Sequence, residues 1–358
     1  MASWRRLTGV VMLAAGAVAA GAGVVIAAEK IAVGRIRLRP DSEADEQLGQ
    51  LHGRPLTVLA ADGVPLHTEI SGPDDAPVTI IFCHGYALNL NCWHYQQAGL
   101  TADRLVFWDQ RGHGRSGRGD SGQVSIDQIG GDLHAVLLAA VPGDSPVVLV
   151  GHSMGGMTIM ALAEQHPELF GTKIIGVVLI STAASAVDPS GWLPGPLRSI
   201  ARHAVPPVMR GAQGKAAGLI ERGRQAAGDI AFLSTRFIAF GDPRISPAVV
   251  DFLERIIRAT PVEVVAEFYL ALLGHDKRAA LGVLGQVPVL VLTGDHDRLV
   301  PPALSDEIAA AIPGAELIVV PGAGHVVIME RPELVNDAIT SLLARALARG
   351  KKAPGQSA

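Results

Sequence analysis

Residues Val147-Val148-Leu149-Val150-Gly151-His152-Ser153-Met154-Gly155-Gly156-Met157-Thr158-Ile159-Met160-Ala161-Leu162 decide the fold. Four consecutive aliphatic residues predict a short strand buried on both faces of a sheet, and the run from Gly155 to His166 predicts a helix. Between them lies G-x-S-x-G. Alone, that pentapeptide is a weak signal in a chain with 41 glycines. Flanked by a strand and a helix, it predicts a strained turn that pushes the Ser153 hydroxyl outward, with glycines at both flanks because strand and helix must approach closely. The Met154 N–H, at the helix N-terminus, would face a developing oxyanion. Ser153 is therefore the candidate nucleophile.

Working outward, Leu56–Ala60 and Val64–Ile70 predict a hairpin turned at Ala61-Asp62-Gly63. Val78–Cys83, Leu105–Trp108, Ile175–Ile180, Val289–Thr293 and Leu317–Val320 predict further buried strands. Ile126–Val141, Pro302–Ile312 and Pro332–Ala348 predict helices between or after them. The alternation implies an α/β class with a mostly parallel eight-stranded sheet flanked by helices. Ile180 to Val289 is far too long for one crossover. Residues 183–278, helical in pattern, are expected to form an inserted cap, splitting the core into 53–182 and 279–348. Within the cap, Trp192, Leu193, Phe232, Phe237, Phe240, Phe252 and Phe268 fit either an apolar substrate site or cap packing. The basic stretch Arg198–Arg224 fits a solvated helical face or a contact for anionic lipid headgroups.

A serine hydroxyl needs a base, and the base an orienting acid. Of twelve histidines, His325 sits in Pro321-Gly322-Ala323-Gly324-His325, directly after the last expected strand. Gly294-Asp295-His296-Asp297 follows the strand before it and offers two carboxylates. The order Ser, Asp, His results.

These motifs resemble the serine-dependent α/β-hydrolase superfamily, in its lidded esterase/lipase-like branch, over Leu56 to Ala348. The resemblance rests on His84-Gly85-Tyr86, Asp109-Gln110-Arg111-Gly112-His113-Gly114-Arg115-Ser116, the Ser153 elbow, Gly294-Asp295-His296-Asp297-Arg298-Leu299-Val300-Pro301 and Gly324-His325. It implies that the acid is Asp297, that Asp295 braces its loop, and that the second oxyanion N–H belongs to Tyr86. It also implies that Asp109–Ser116 is a structural brace. Epoxide hydrolases and haloalkane dehalogenases carry a carboxylate where this chain has Ser153, so acyl transfer is favoured. The chain also lacks the His-Gly-Gly-Pro-Gly run of proline iminopeptidases and the Gly-Pro-Gly tract of carbon–carbon bond hydrolases. The expected function is cleavage of carboxylic esters, including lipid-like ones, through Ser153, His325 and Asp297, with no cofactor or metal. The alternatives are a cofactor-free haloperoxidase/perhydrolase-like enzyme using the same triad and a non-enzymatic binding protein on the same scaffold.

Composition narrows the rest. A net charge of −4 disfavours a broad nucleic-acid surface. Two cysteines, Cys83 and Cys92, cannot build a disulfide scaffold or a four-thiolate zinc site. Leu7 to Ala28 contains no charge after Arg5-Arg6; as a helix these 22 residues would rise about 33 Å, enough to cross a bilayer core. Residues 1–30 are thus expected to be a single N-terminal anchor at the cell membrane, or alternatively a signal segment cleaved on secretion. Residues 31–52 are expected to be a polar tether, and 349–358 a flexible tail.

Overall fold

The computed structural model describes residues 30, 33–100, 103–119, 124–187, 195–212, 218, 221–222 and 228–351. Its centre is an eight-stranded sheet: β1 (Arg54–Leu59), β2 (Pro65–Ser71), β3 (Thr79–Cys83), β4 (Arg104–Trp108), β5 (Val147–His152), β6 (Ile174–Ile180), β7 (Val289–Gly294) and β8 (Glu316–Val320). The spatial order is β1-β2-β4-β3-β5-β6-β7-β8. β2 is antiparallel to both β1 and β4, and every later pairing is parallel. The α/β class and mostly parallel sheet expected from the apolar runs are what the chain forms.

Alternation along the strands builds two cores. Ile80, Phe82, Val148, Val150, Leu290 and Leu292 enter one apolar cluster, while Ile81, Cys83, Val147, Leu149, Val289 and Val291 enter the opposite one. Both faces are thus apolar, which is why these strands read as continuous hydrophobic runs. Helices α1 (Ile126–Ala140) and α2 (Met154–Gln165) cover one face. Ser125 caps α1 by accepting the Gln128 N–H at 3.1 Å. After β3, Leu90–Gly99 forms a short helical stretch that periodicity did not signal. It is too short for an amphipathic repeat and is pinned by Asn89, whose side chain accepts the Asn91 N–H.

Between β6 and β7 lie the helices α3 (Gly195–Ala212), α4 (Gly228–Ala239), α5 (Pro247–Ala259) and α6 (Val262–Leu273). Phe232, Phe240, Phe252 and Phe268 are buried in apolar clusters, and Phe237 is exposed beneath the Arg298 guanidinium, 4.5 Å from its ring centroid. None of these phenylalanines lines the cavity described below, so their role is packing. Trp192, Leu193 and, within the basic stretch, residues 213–217, 219–220 and 223–224 lie outside the described residues. After the cap come α7 (Pro302–Ala311) and α8 (Pro332–Lys351).

The N-terminal expectations need correction. The stretch Leu7–Ala28 that suggested an anchor lies outside the described residues. Among the described residues no helix is long and apolar enough to cross a membrane. The membrane location is withdrawn, and with it the membrane as a partner. Residues 33–49 are docked on the body, in place of the extended tether that their polarity suggested. Val33 and Leu48 are buried in the same cluster as Val249, Phe252 and Ile256 of α5. Arg37 bridges to Asp251 at 2.9 Å, Asp41 accepts the Ala248 N–H at 3.0 Å, and His94 Nε2–H donates to Glu46 at 3.1 Å. The polar residues hid this docking because only a few scattered apolar side chains, Val33, Ile36 and Leu48, pack against the cluster.

Candidate active site

All the candidate residues stand at the C-terminal ends of the parallel strands. Ser153 follows β5 and caps α2 with φ 53° and ψ −119°, a conformation rarely held by a residue with a side chain. The surroundings impose it. The Ser153 N–H donates to Ile180 O at 2.8 Å, and Ser153 O accepts from Gly156 N and from Thr182 Oγ1 at 2.7 Å. A Cβ on Gly155 would lie 1.9 Å from Cys83 O, and one on Gly151 would lie 2.6 Å from the Gly155 carbonyl carbon. Close approach of strand and helix therefore demands both glycines, as the motif implied.

His325 Nδ1–H donates to Asp297 Oδ2 at 2.9 Å, with both residues buried. Asp297 Oδ1 also accepts the N–H groups of Leu299 and Val300, at 2.9 and 2.8 Å. With Nδ1 committed, Nε2 is the imidazole nitrogen left to take a proton. Asp295 is exposed and accepts the Gly322 N–H at 2.7 Å, bracing the loop that carries His325. His296 is exposed. The two carboxylates of this loop are thus separated: only Asp297 meets the imidazole.

Ser153, His325, Tyr86 and His152 line one cavity of about 180 Å³. Met154, the first residue of α2, is buried behind it, and its N–H belongs to the helix N-terminus that has no intrahelical acceptor. The loop of Tyr86 is supported from below. His84 Nδ1–H donates to Gly85 O while its Nε2 accepts from Gln110 N at 2.9 Å; His113 Nε2 accepts from Ala87 N at 3.2 Å. Asp109 accepts the N–H groups of Leu90 and Arg115, both at 2.8 Å, and Arg111 pairs with the buried Asp132. The Asp109–Ser116 loop is accordingly a brace. Burial holds His84 well below the ordinary histidine range and pushes His113 down to about 4. Burial, reinforced by neighbouring His325, holds His152 at about 3. All three are neutral near pH 7, so His325 has no cationic histidine beside it.

Three supports were not foreseen. His152 Nε2–H donates to His325 O at 3.0 Å, tying the residue before Ser153 to the loop of His325. Thr158 Oγ1 donates to Gln110 Oε1 at 2.7 Å, joining α2 to the brace. Glu330 collects several backbone N–H groups around Gly324. No spacing in the sequence marks these contacts, because each joins positions distant along the chain or made adjacent only by a turn.

A family model described as alpha/beta hydrolase fold matches residues 78–332. The chain belongs to that family. As an α/β-hydrolase it is an enzyme of the hydrolytic class. It is 28% identical over 290 residues to 3-oxoadipate enol-lactonase 2 of Acinetobacter baylyi, covering 80% of this chain and 96% of that protein. It is 27% identical over 286 residues to the sn-1-specific diacylglycerol lipase ABHD11 of Mus musculus, covering 78% and 86% respectively. Among solved structures, the enol-lactonase of Burkholderia xenovorans LB400 superposes with a TM-score of 0.64 at 25% identity, over 81% of this chain and all of that one. Strands β3 to β8 and every residue lining the cavity lie inside the span matched by the family model.

Proposed function

We propose that this α/β-hydrolase cleaves carboxylic esters with an uncharged, apolar acyl group by a Ser153-His325-Asp297 acyl-enzyme mechanism. The carrying observation is the shared cavity: it joins Ser153 to an imidazole already bonded to a buried carboxylate. His325 Nε2 takes the Ser153 proton as Oγ attacks the ester carbonyl, and Asp297 stabilises the imidazolium. The N–H groups of Tyr86 and Met154 bind the oxyanion. The imidazolium then protonates the departing alcohol, and as a base again it activates water to release the acid.

The cap side of the cavity supplies Ala239, Leu253, Ile257, Leu272 and Leu273, with Tyr269 its one aromatic side chain among the described residues. Among the described residues, no Lys, Arg, Asp or Glu lines it. A carboxylated acyl group would meet no counter-ion there and would lose its hydration, which disfavours it. Neutral, lipid-like acyl chains suit such a wall, and the lipase and enol-lactonase names of the relatives both denote ester cleavage.

A fluorophosphonate probe should label Ser153 in folded wild-type protein. Ser153→Ala should abolish labelling and lower kcat/KM for a 4-nitrophenyl ester by about 10⁴–10⁶-fold, with Tm nearly unchanged. A folded wild-type protein that neither labels nor turns over esters would instead be a binding scaffold.

A further inference from the structure

The loop bearing His325 is not held by the core alone. A Cβ on Gly324 would lie 2.5 Å from Gly241 N, and one on Gly241 would lie 2.5 Å from Gly322 O. The chain leaving α4 therefore touches this loop backbone to backbone. Val326 N–H donates to Ala239 O at 3.0 Å, and Arg298, next to Asp297, donates to Phe237 O at 2.7 Å and Phe240 O at 3.0 Å. At the centre of the junction is Glu330, buried at 6% exposure. Its carboxylate accepts Gly324 N–H at 2.7 Å, Gly241 N–H at 3.0 and 3.2 Å, and Asp242 N–H at 2.5 Å. One side chain thus satisfies three backbone donors from two segments more than eighty residues apart. The Arg331 guanidinium closes the junction on Asp242 at 3.2 Å.

Resting on the triad reading above, we propose that Glu330 is a positioning residue, fixing the backbone of His325 by holding Gly324 and the root of the cap on one carboxylate. The peptide between Gly324 and His325 sets where the imidazole begins. The Gly324 N–H belongs to the preceding Ala323–Gly324 peptide; with no side chain to stiffen Gly324, this external hydrogen bond fixes the plane from which the Gly324–His325 peptide departs. A carboxylate accepts from all three donors at once. A carboxamide of the same shape would turn an N–H toward at least one of them. Ala239 also lines the cavity, so the same junction connects the wall that touches substrate with the loop that supplies the base.

The test compares wild type with Glu330→Gln. The expected result is a kcat for 4-nitrophenyl butyrate lower by about 10²-fold, as follows from misplacing a reacting group by an ångström-scale shift, with KM within about threefold. The downfield proton resonance of the His325 Nδ1–H bonded to Asp297 should shift or broaden in the variant. A role confined to stability would leave kcat per folded molecule and that resonance in place, and a kcat change under about threefold overturns the proposal. Should Glu330→Gln not fold, Glu330→Asp keeps the charge with a shorter reach and is judged by the same threshold. Failure of both to fold assigns Glu330 to folding alone and equally overturns the proposal. Absence of wild-type esterase activity and labelling would strike at the triad reading instead, so the two failures are distinguishable.

Discussion

The two walls of the cavity are built on different physics. On the core side, Ser153, Tyr86 and His325 stand on loops, and His152 at the end of β5, all bound by buried polar contacts including Asp297, His84, His113 and Glu330. On the cap side the wall is mostly aliphatic, with Leu253, Ile257, Leu272 and Leu273 beside Tyr269. Hydrogen bonds are directional and costly to leave unmade when buried, so the core wall holds one geometry. Apolar contact is non-directional and scales with area, so the cap wall can change shape and still enclose a ligand. The proposed mechanism assigns chemistry to the first wall and selectivity to the second.

Asp297→Asn should test this division most severely. The carboxamide retains the shape but disturbs the His325 tautomer, and kcat/KM should fall by about 10²–10⁴-fold with little change in Tm. Steady-state kinetics beside a thermal melt check it, and equal activity would remove Asp297 from the triad.

A second effect concerns the buried neutral histidines. His84, His113 and His152 have folded pKa values depressed by burial, with His113 at about 4 and His152 at about 3. Depressed values mean that the unfolded chain binds more protons below about pH 6.5. The stability they contribute is fully present above that pH and is lost as pH falls toward 4 and 3. Glu43 opposes them, because burial and then the nearby Asp41, Glu333 and Glu46 carboxylates raise it to about 7. Its contribution is present below the unfolded carboxylate range and is lost as pH rises through 7. The histidines outnumber it, so urea unfolding at pH 5.5 should show lower stability than at pH 7.5, by about 1.4 kcal/mol per pH unit for each net proton. Equal or greater stability at pH 5.5 would contradict this assignment of neutral histidines.

The smallest effect is expected from the cap. Ile257→Ala should shift the preference within a 4-nitrophenyl acyl series toward longer chains by about 10-fold, while turnover of the acetate stays within about threefold of wild type. A loss on acetate comparable to that of Asp297→Asn would show that the walls are not separable.

Much of this architecture is legible in the chain because its determinants are local. Val147–Val150 alternates between two apolar clusters and so reads as a run buried on both faces. Gly151 and Gly155 mark a close approach that no side chain tolerates. Gly324-His325 and the Asp297 loop can be located because each follows a strand. The choice between Asp295 and Asp297 needed the resemblance, since both lie in one short loop and only a fold shows which carboxylate reaches the imidazole. The cap phenylalanines left two readings open for a related reason: composition counts apolar groups without saying whether they face a cavity or each other. The arm at 33–49 is polar in composition yet docked, because Val33 and Leu48 each find a pocket built by distant residues.

The sequence by itself determined the strand–turn–helix elbow, the order of serine, carboxylate and histidine, and the long insertion before β7, since these follow from short-range periodicity and backbone sterics. Only the tertiary structure decided which carboxylate meets His325, that the cap phenylalanines pack away from the cavity, and that Glu330 joins the cap to the histidine loop. Those outcomes depend on directions and distances between segments far apart in the chain, and hydrogen bonds and cavities exist only once such segments have been brought together.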